Sequence, residues 1–460
     1  MYEIDFEHPG KIHFIGIGGI SMSGFAELLH SMGFTITGSD WHESKITRHL
    51  ESLGIQVVYG QKEENITKDI SLVVYTAAVK PDNPEYKKTV ELGIPIMERA
   101  VMVGQVMKNY SSAIAIAGTH GKTTTTSIAS QIFLEADLDP TISVGGILNT
   151  IGGNIRIGHS EHFITEACEY TNSFLQFFPT VGIILNIEED HMDFFKDLAD
   201  IRHSFREFAK KIPAHGTLII NADIENYTEI TEGLSCRILT YALDNIEADF
   251  TPEDITYDDM GRGQFTAVQN GQKGSRFSLS VVGRHNISNT LACLALASLY
   301  GIGDDTIQQA LASFHGTERR FEYKGKRNGF TIIDDYAHHP TEITATLTAA
   351  DKYPHKTLWC LFQPHTYTRT RAFLTDFAAA LAQADKIILA DIYAAREKDP
   401  GDISSRTLEQ EIKKLGKEVY YFPDFEEIKK FILKNLVDGD LLITMGAGNI
   451  VDIGNDLLNP

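Results

Sequence analysis

The chain has 460 residues, of which 43% are hydrophobic and 22% are charged, and it carries a formal net charge of −21. This length predicts about three domains, and the composition is that of a globular protein able to bury sizeable cores. The negative charge argues against general binding to nucleic acid or to an anionic membrane, so an anionic substrate has to meet a local basic patch.

The N-terminal segment MYEIDFEHPG is acidic and has no apolar stretch, so it lacks the pattern of a signal peptide. No apolar run in the sequence approaches the roughly 18 residues that cross a bilayer. The four cysteines lie far apart without C-x-x-C spacing, which indicates neither a zinc site nor a disulfide framework. We therefore expect a cytoplasmic protein.

The first hundred residues have the pattern of a small nucleotide-binding sheet. A strand at 11–17 runs into a tight turn and an apolar helix, and such a turn lets backbone N–H groups approach a diphosphate at the helix N-terminus. The glycines of this turn are Gly16, Gly18 and Gly19. The polar residues at the ends of the next strands, where ligands of open α/β sheets collect, are Ser39, Asp40 and Thr76. The third glycine comes at 24 and not at 21, so both a dinucleotide site and a plain α/β turn fit the pattern.

Residues 114–127, IAIAGTHGKTTTTS, contain the clearest signal in the chain. A short apolar strand runs through a glycine-bounded turn into a helix, which aims backbone N–H groups at one point, as a phosphate chain requires. Lys122 can reach the terminal phosphates, and the hydroxyl of Thr123 can bind Mg²⁺. A full Walker pattern has glycine where this chain has Ile116, so an ordinary threonine-capped turn is the alternative. We interpret the loop as an ATP site formed by Gly118, Thr119, His120, Gly121, Lys122, Thr123 and Thr124.

The strands after this loop predict a magnesium site beside it. A buried strand at 163–167 carries Glu166, and the strand at 181–185 runs into a loop that contains His191. Because Mg²⁺ prefers carboxylate, hydroxyl and water oxygens, Thr123 and Glu166 form a reasonable first metal site, and His191 can serve a second cation or the γ-phosphate. The other acids of these loops, which we expect to be solvated charges, are Glu169, Glu188, Glu189 and Asp193.

The end of the central region predicts an appended sheet and a helix. Residues 236–282 alternate like an antiparallel sheet, and an apolar helix follows from residue 283 to residue 300. Asn286 and Asn289 lie near the start of this helix, where they can either cap it or contact an adenine.

The polar, basic segment 314–329 is predicted to be a linker. Within it, Arg319 and Arg320 are either solvated charges or, if the linker is a hinge, a source of an arginine that closes over a γ-phosphate. The rest of the chain alternates strands (330–334, 357–362, 386–391, 418–422, 441–445) with helices (about 341–351, 369–384, 404–415, 424–435). This alternation predicts a second doubly wound sheet.

Polar clusters follow the first two strands of this last sheet. One reads DDYAHHP from 334 to 340, and the other reads QPHTYTRTR from 363 to 371. Arg369 and Arg371 lie at the start of a predicted helix, which the helix dipole makes an unfavourable place for a cation. A need to bind a carboxylate or a phosphate would explain that cost, and a surface position is the alternative for Arg371.

Together these motifs resemble those of the Mur ligases, the ATP-dependent amide-forming enzymes of peptidoglycan synthesis. They cover nearly the whole chain in family order: GIGG at 16–19 with SMSG at 21–24, GTHGKTTT at 118–125, EACE at 166–169 with SFL at 173–175, NIEEDHMD at 186–193, GRHN at 283–286, RRF at 319–321, DDYAHHP at 334–340 and FQPHTYTRTR at 362–371. Two positions depart from the family pattern, because members often have Asp where this chain has Cys168 and some have Arg where it has Thr366.

The resemblance implies an α/β fold of three domains: an N-terminal Rossmann-like UDP-sugar domain (1–110), a central P-loop ATPase with a mixed sheet (111–322) and a C-terminal Rossmann-like domain (323–460). It implies that Lys122 binds the terminal phosphates, that Thr123 and Glu166 hold Mg²⁺, and that His191 serves a second cation. The implied contacts are Gly18, Gly19, Ser39, Asp40 and Thr76 for the UDP-sugar, Asn286, Asn289, Arg320 and Asp335 (on the ribose) for ATP, and Tyr336, His338 and Arg369 for the amino acid.

The resemblance is strongest to members that join L-alanine to UDP-N-acetylmuramate through an acyl phosphate, using ATP and Mg²⁺, as a monomer or weak homodimer. The nearest alternative is the related recycling ligase that joins a whole tripeptide to the same sugar, and the segment 363–369 favours the single amino acid. An oxidoreductase built on the first glycine turn would leave the GKT loop unexplained. A non-catalytic homologue is disfavoured by the intact Lys122, Glu166 and His191.

Overall fold

The fold was obtained as a computed structural model, which describes residues 2–76, 78–395 and 397–459. The backbone divides into two compact units. One comprises Met1–Ile187 and Arg202–Leu239, and the other comprises Glu188–Ile201 and Thr240–Pro460. Within the described ranges no helix has both the length and the apolar character needed to cross a bilayer.

The first unit begins with a five-stranded parallel sheet in the order β3-β2-β1-β4-β5. Its elements are β1 (Lys11–Ile15), α1 (Ile20–Ser31), β2 (Thr35–Asp40), α2 (Lys45–Ser52), β3 (Gln56–Tyr59), β4 (Leu72–Tyr75), α3 (Pro84–Glu91), β5 (Ile96–Glu98) and α4 (Arg99–Met107). Because the strand order reverses between β1 and β4, the glycine turn after β1 lies at the point where open α/β sheets bind ligands.

The second sheet of this unit surrounds the phosphate loop. The elements of this region are β6 (Ser112–Ala117), α5 (Lys122–Glu135), β7 (Thr141–Leu148), β8 (Gly153–Arg156), β9 (His162–Ala167), β10 (Val181–Ile184), α6 (Leu198–Ala209), β11 (Thr217–Asn221), α7 (Thr228–Thr231) and β12 (Arg237–Tyr241). Residues 198–201 of α6 and 240–241 of β12 belong to the second unit. The fully buried β6 pairs in parallel with β9 on one side and with β10 on the other. The carboxyl ends of these three strands therefore meet at one edge, where the phosphate loop follows β6 and Glu166 lies near the end of β9.

The second unit opens with an antiparallel sheet and two helices: β13 (Phe250–Tyr257), β14 (Arg262–Gln269), β15 (Gln272–Val282), α8 (Arg284–Leu299) and α9 (Asp304–Ser313). β13 and β14 are antiparallel, as are β14 and β15, which confirms the predicted antiparallel sheet. The pairing of Tyr241 with Phe250 is parallel, so the prediction was wrong at β12.

The last sheet has the order β16-β17-β21-β18-β19-β20 and is parallel except for β16. Its elements are β16 (Glu322–Arg327), β17 (Phe330–Asp335), α10 (Pro340–Asp351), β18 (Leu358–Phe362), α11 (Tyr367–Ala372), α12 (Leu374–Leu381), β19 (Lys386–Leu389), α13 (Ser405–Lys414), β20 (Glu418–Tyr421), α14 (Phe425–Asn435), β21 (Leu441–Met445) and α15 (Val451–Leu458). The α/β fold class predicted from the alternation of strands and helices is confirmed.

Two predictions for this region were wrong. The linker predicted at 314–329 contains β16, whose polar sequence EYKGKR suits a strand at the edge of a sheet. The single helix predicted at 369–384 is two helices, because the backbone of Phe373 (φ −113°, ψ 27°) leaves the helical region between α11 and α12.

Candidate active site

The phosphate loop connects β6 to α5 and is shaped by two glycines with positive φ. Gly118 has φ 151° and Gly121, the N-cap of α5, has φ 83°. A Cβ atom on Gly118 would lie 2.9 Å from the side chain of Leu185, so only glycine fits this position. The loop is tied to the end of β10, since the Asn186 side-chain oxygen accepts a hydrogen bond from the backbone N–H of His120 at 2.7 Å. This is the strand–turn–helix geometry that the sequence predicted.

Lys122 lies at the start of α5, and its side chain makes three hydrogen bonds to other groups of the first unit. Its Nζ donates to the carbonyls of Gly118 (2.5 Å) and Thr119 (3.1 Å) and to the Glu169 carboxylate (2.9 Å). Burial alone would lower the pKa of Lys122, but the nearby Glu169 carboxylate raises it above its usual range, so the amine stays charged. The prediction that Glu169 is a solvated loop charge was wrong, because its side chain is only 2% exposed and forms this ion pair.

The two predicted metal ligands of the first unit are in contact. The Thr123 hydroxyl donates to Glu166 Oε2 at 3.1 Å, and the backbone N–H of Gly145 donates to Glu166 Oε1 at 2.6 Å. A hydroxyl and a carboxylate beside a phosphate loop form the hard-oxygen donor set that Mg²⁺ prefers. The residues therefore fit a magnesium ion. Thr124 follows in the first turn of α5 and is half-buried.

The predicted UDP-sugar residues cluster around the first glycine turn. The backbone N–H of Gly18 donates to Asp40 Oδ2 at 2.8 Å, and the Ser39 carbonyl accepts from the N–H groups of Gly16 and Ile17, both at 2.9 Å. Ser39 is fully buried, its hydroxyl donates to Glu85 at 2.6 Å, and its carbonyl holds the turn; its contact with the UDP-sugar stays a prediction. The other two predicted residues are Gly19, the N-cap of α1, and Thr76, directly after β4.

In the second unit, Arg369 forms a buried ion pair with Asp190. Its Nη2 and Nε atoms lie 2.9 Å and 3.2 Å from Asp190 Oδ1, and the two side chains are 11% and 8% exposed. Burial alone would raise the pKa of Asp190, but Arg369 holds it below its usual range. His191 is next to this pair, with its Nε2 3.7 Å from Asp190 Oδ2. Arg369 thus binds a carboxylate of the protein itself, and its contact with the amino acid stays a prediction.

The residues predicted for the amino-acid pocket form one cluster with Arg369. The rings of Tyr336 and His338 lie 5.3 Å apart, the rings of His338 and His365 lie 5.8 Å apart, and His365 Nδ1 lies 3.2 Å from Arg369 Nη1. Burial lowers the pKa of His338 to about 4, so its imidazole is neutral at pH 7. The sequence did not predict His365 or Asp190 as members of this cluster, although both belong to motifs that it singled out.

Arg320 and Asp335, predicted for the nucleotide, lie near Tyr336. The guanidinium carbon of Arg320 is 5.2 Å from the centre of the Tyr336 ring, and that of Arg319 is 4.8 Å from it. The Asp335 carboxylate accepts hydrogen bonds from the backbone N–H groups of Phe321 and Ala337, both at 2.8 Å. Burial raises the pKa of Asp335 to about 6, although Arg320 opposes this shift. Asp335 therefore fixes the loop between the arginines and β17.

Asn286 and Asn289 are buried in the first two turns of α8 and bind each other. The Asn289 amide donates to the Asn286 side-chain oxygen at 3.0 Å, and the Asn286 amide donates to the carbonyl of Val282 at 2.7 Å. The N-cap of α8 is Gly283, without a side-chain cap, so neither asparagine has the capping role that was one of the two interpretations. The adenine contact stays a prediction.

Comparisons with known proteins match three successive parts of the chain to models of one family, and the whole chain to a relative of that family. Residues 11–111 match the family described as "Mur ligase family, catalytic domain", residues 116–297 match "Mur ligase middle domain" and residues 319–448 match "Mur ligase, glutamate ligase domain". The UDP-N-acetylmuramate–L-alanine ligase of Agathobacter rectalis is 59% identical over 458 residues, which covers 100% of both chains.

Two solved structures resemble the fold over almost its full length. The UDP-N-acetylmuramate–alanine ligase of Thermotoga maritima is 28% identical, with 98% of each chain covered and a TM-score of 0.83. The murein peptide ligase of Psychrobacter arcticus is 25% identical, with 98% of each chain covered and a TM-score of 0.73.

Proposed function

The chain belongs to the Mur ligase family, and from that premise we propose that it joins L-alanine to the carboxylate of UDP-N-acetylmuramate, converting ATP to ADP and phosphate, in peptidoglycan synthesis. The observation that carries this proposal is the identity of 59% over the full chain to a ligase of that name. The tripeptide ligase is the less similar alternative, since the solved murein peptide ligase has the lower TM-score, 0.73 against 0.83.

The domain boundaries are part of the proposal. Residues 1–110 form the UDP-sugar domain, residues 111–322 the ATPase domain and residues 323–460 the domain that contributes to ATP and amino-acid binding. The three separate family matches, at 11–111, 116–297 and 319–448, support this division. We expect a monomer or weak homodimer, acting in the cytoplasm where ATP and UDP-sugars are available.

A carboxylate is a poor electrophile for an amine, so the enzyme has to activate it before the amide can form. The muramoyl carboxylate attacks the γ-phosphate of ATP, which gives an acyl phosphate and ADP. The amine of L-alanine then attacks the acyl carbon, phosphate leaves from the tetrahedral intermediate, and the nitrogen loses a proton. In the first step negative charge moves onto the transferring group and the leaving oxygen, so the site has to supply positive charge.

Lys122 supplies that charge at the terminal phosphates, because Glu169 keeps its amine protonated. Thr123 and Glu166 are the residues that would hold Mg²⁺, which would neutralise negative charge on the phosphates when bound. His191 is the residue that would bind a second cation. The contact between the Thr123 hydroxyl and Glu166 supports the assignment of these two residues to Mg²⁺.

The second unit supplies the remaining contacts. Arg320, Asn286, Asn289 and Asp335 bind the nucleotide in this proposal. The pocket for L-alanine is formed by Tyr336, His338 and Arg369, in which Arg369 binds the amino-acid carboxylate and the neutral His338 adds a polar wall without a charge. The ion pair that Arg369 makes with the Asp190 carboxylate supports this assignment, because an amino-acid carboxylate is a group of the same kind.

The proposal is tested by measuring phosphate release from ATP in the presence of UDP-N-acetylmuramate and one amine donor at a time. L-alanine is expected to support turnover, while the tripeptide L-Ala-γ-D-Glu-meso-diaminopimelate is not. Turnover with the tripeptide alone would assign the chain to the recycling reaction. Product formation without consumption of ATP would overturn the mechanism.

A further inference from the structure

The first turn of α11 is held by another loop of the last sheet, the loop that follows β19. Glu397 of that loop lies at the start of the helix, where its Oε2 atom accepts hydrogen bonds from the backbone N–H groups of Tyr367 (2.6 Å) and Thr368 (3.0 Å). Its Oε1 atom accepts a further hydrogen bond from the Thr368 hydroxyl. One carboxylate, outside every motif that the sequence singled out, thus binds the two residues that precede Arg369.

The same loop also binds the residues just before the helix. The Tyr393 carbonyl accepts a hydrogen bond from the Thr366 N–H at 2.9 Å, and the Tyr393 N–H donates to the Pro364 carbonyl at 2.8 Å. The rings of Tyr393 and His365 are stacked, with their centres 5.8 Å apart and an angle of 17° between their planes. The backbone N–H groups of residues 366, 367 and 368 are therefore all bound by this one loop.

Thr366, the N-cap of α11, is a strained residue. Its φ of 65° lies in the region that favours glycine, although threonine is β-branched. Such a conformation persists only where the surrounding structure holds it. Here Tyr393 binds the N–H of Thr366 itself, and Glu397 binds the next two N–H groups.

Glu397 also explains how two arginines can lie in so short a helix end. The N-terminus of a helix carries a partial positive charge, so Arg369 and Arg371 raise the electrostatic energy there. Each of them has an acidic partner of its own, Asp190 and Asp402 respectively. The Glu397 carboxylate is bound to the N–H groups that carry the partial charge, and as an anion it makes stronger hydrogen bonds there than a neutral cap would.

The placement of Arg369 depends on this turn. Arg369 directly follows the residues that Glu397 binds, and its Nη1 atom lies 3.2 Å from Nδ1 of His365, whose ring stacks on Tyr393 of the same loop. A shift of the turn would therefore move the guanidinium. Because a guanidinium binds a carboxylate through hydrogen bonds of fixed direction, a small displacement is enough to weaken the contact.

We propose that Glu397 is a positioning residue of the amino-acid site, which fixes the first turn of α11 and, through it, the guanidinium of Arg369 where the carboxylate of L-alanine binds. This inference rests on the proposed function, to which it adds a residue that touches no substrate. Arg369 holds the carboxylate equally in the ground state and in the transition state. Loss of Glu397 therefore raises KM for L-alanine and leaves kcat nearly unchanged.

The test measures steady-state phosphate release by the full chain, with each of the three substrates varied in turn. Glu397→Ala removes the hydrogen bonds to Tyr367 and Thr368, and it is expected to raise KM for L-alanine by roughly 10- to 100-fold, up to the effect of a misplacement of about 1 Å. KM for ATP, KM for UDP-N-acetylmuramate and kcat should stay within about threefold. Glu397→Gln, which keeps the shape and one acceptor oxygen but no charge, should give a smaller rise in KM for L-alanine, and it carries the test if Glu397→Ala does not fold.

The matched control is Asp424→Ala. The Asp424 carboxylate accepts hydrogen bonds from the backbone N–H groups of Glu426 (2.7 Å) and Glu427 (3.1 Å) at the start of α14, so it caps another helix of the same sheet in the same way. Asp424→Ala and Glu397→Ala should lower the melting temperature by a similar few degrees. Asp424→Ala should leave the KM values of all substrates unchanged.

A second measurement shows whether Glu397 acts through Arg369. In an Arg369→Lys background, Glu397→Ala should raise KM for L-alanine by less than about threefold, because the planar fork that Glu397 positions is already absent. An undiminished effect in this background would overturn the proposed route through Arg369.

A rise in KM confined to L-alanine, and lost in the Arg369→Lys background, supports the proposal. A lower melting temperature with unchanged KM values, as expected for Asp424→Ala, would overturn it in favour of a purely structural cap, and so would an equal rise in the KM values of all substrates. Failure of the proposed function has a different signature and would overturn both. In that case the unmodified chain would not release phosphate with UDP-N-acetylmuramate and L-alanine.

Discussion

Replacing Lys122 by methionine, alone and together with Glu169→Gln, separates the structural role of this residue from its chemical role. Methionine keeps the length of the side chain but removes the charge and three hydrogen bonds, to Gly118, Thr119 and Glu169. The Glu169 carboxylate, 2% exposed, then loses the cation that lies 2.9 Å from it. The variant therefore changes both the stability of the first unit and the charge at the phosphate site.

The expected cost in stability is that of breaking a buried ion pair on one side, about 3–5 kcal/mol in the free energy of unfolding. Solvent screens this pair little, since the Lys122 side chain is only 15% exposed. A second change, Glu169→Gln, removes the charge left behind, so the double variant should regain stability, with a coupling energy of about 1–3 kcal/mol. The loss of turnover has a different cause, the missing charge contact to the transferring phosphate, which lowers kcat by about 10²–10³.

Urea denaturation followed by circular dichroism measures the free energy of unfolding, and phosphate release at saturating substrates measures kcat. The double variant is expected to be more stable than Lys122→Met and equally inactive. Recovery of turnover in the double variant would refute the chemical role of Lys122. An unchanged free energy of unfolding in Lys122→Met would refute the structural role of the ion pair.

Three further predictions follow from the contacts of the site. Thr123→Val keeps the shape but removes the hydroxyl beside Glu166, so the Mg²⁺ concentration for half-maximal ADP formation should rise by about tenfold or more, without a change in thermal stability. Gly145→Ala would place a Cβ atom 2.8 Å from Glu166 Oε2; because this carboxylate can move, the variant should fold with a loss of about 1 kcal/mol but lose about 100-fold in kcat. Asp190 has a pKa held below its usual range by Arg369, although burial opposes this, so its contribution to stability is complete above the unfolded value of about 4 and is lost as the pH falls below it. Asp190→Asn should therefore show a shallower loss of stability than the unmodified chain in urea denaturation between pH 5 and pH 2.

Most of the fold could be predicted from the sequence because its strands are short apolar runs separated by amphipathic helices. Leu441–Met445 was predicted with its exact bounds, and the other four predicted strands of the last sheet differ from the observed ones by one or two residues. The edge strand β16 was missed, because EYKGKR has neither the apolar character nor the clear alternation of a buried strand. Its structure depends on pairing with β17, which lies beyond the reach of a local pattern.

The candidate site could be predicted where one motif supplies several groups, and less well where the fold brings distant groups together. The strand, turn and helix of the phosphate loop could be predicted from the local sequence of that segment. The burial of Glu169 and the pairing of Asp190 with Arg369, 179 residues apart, depend on how sheets and loops pack. A buried serine such as Ser39 looks the same in a sequence as an exposed one, although its hydroxyl is bound to Glu85.

Without ligands, the charged groups of each proposed subsite are satisfied by the protein itself. Lys122 is paired with Glu169 in the first unit, and Arg369 is paired with Asp190 in the second. A phosphate or carboxylate that arrives at either cation therefore exchanges one anionic partner for another, and the net affinity is much smaller than the attraction between the isolated charges. The Glu169 carboxylate keeps the Lys122 amine protonated, and each pair holds its cation in position before a ligand binds, so the positive charge that the transition state needs at Lys122 is already in place.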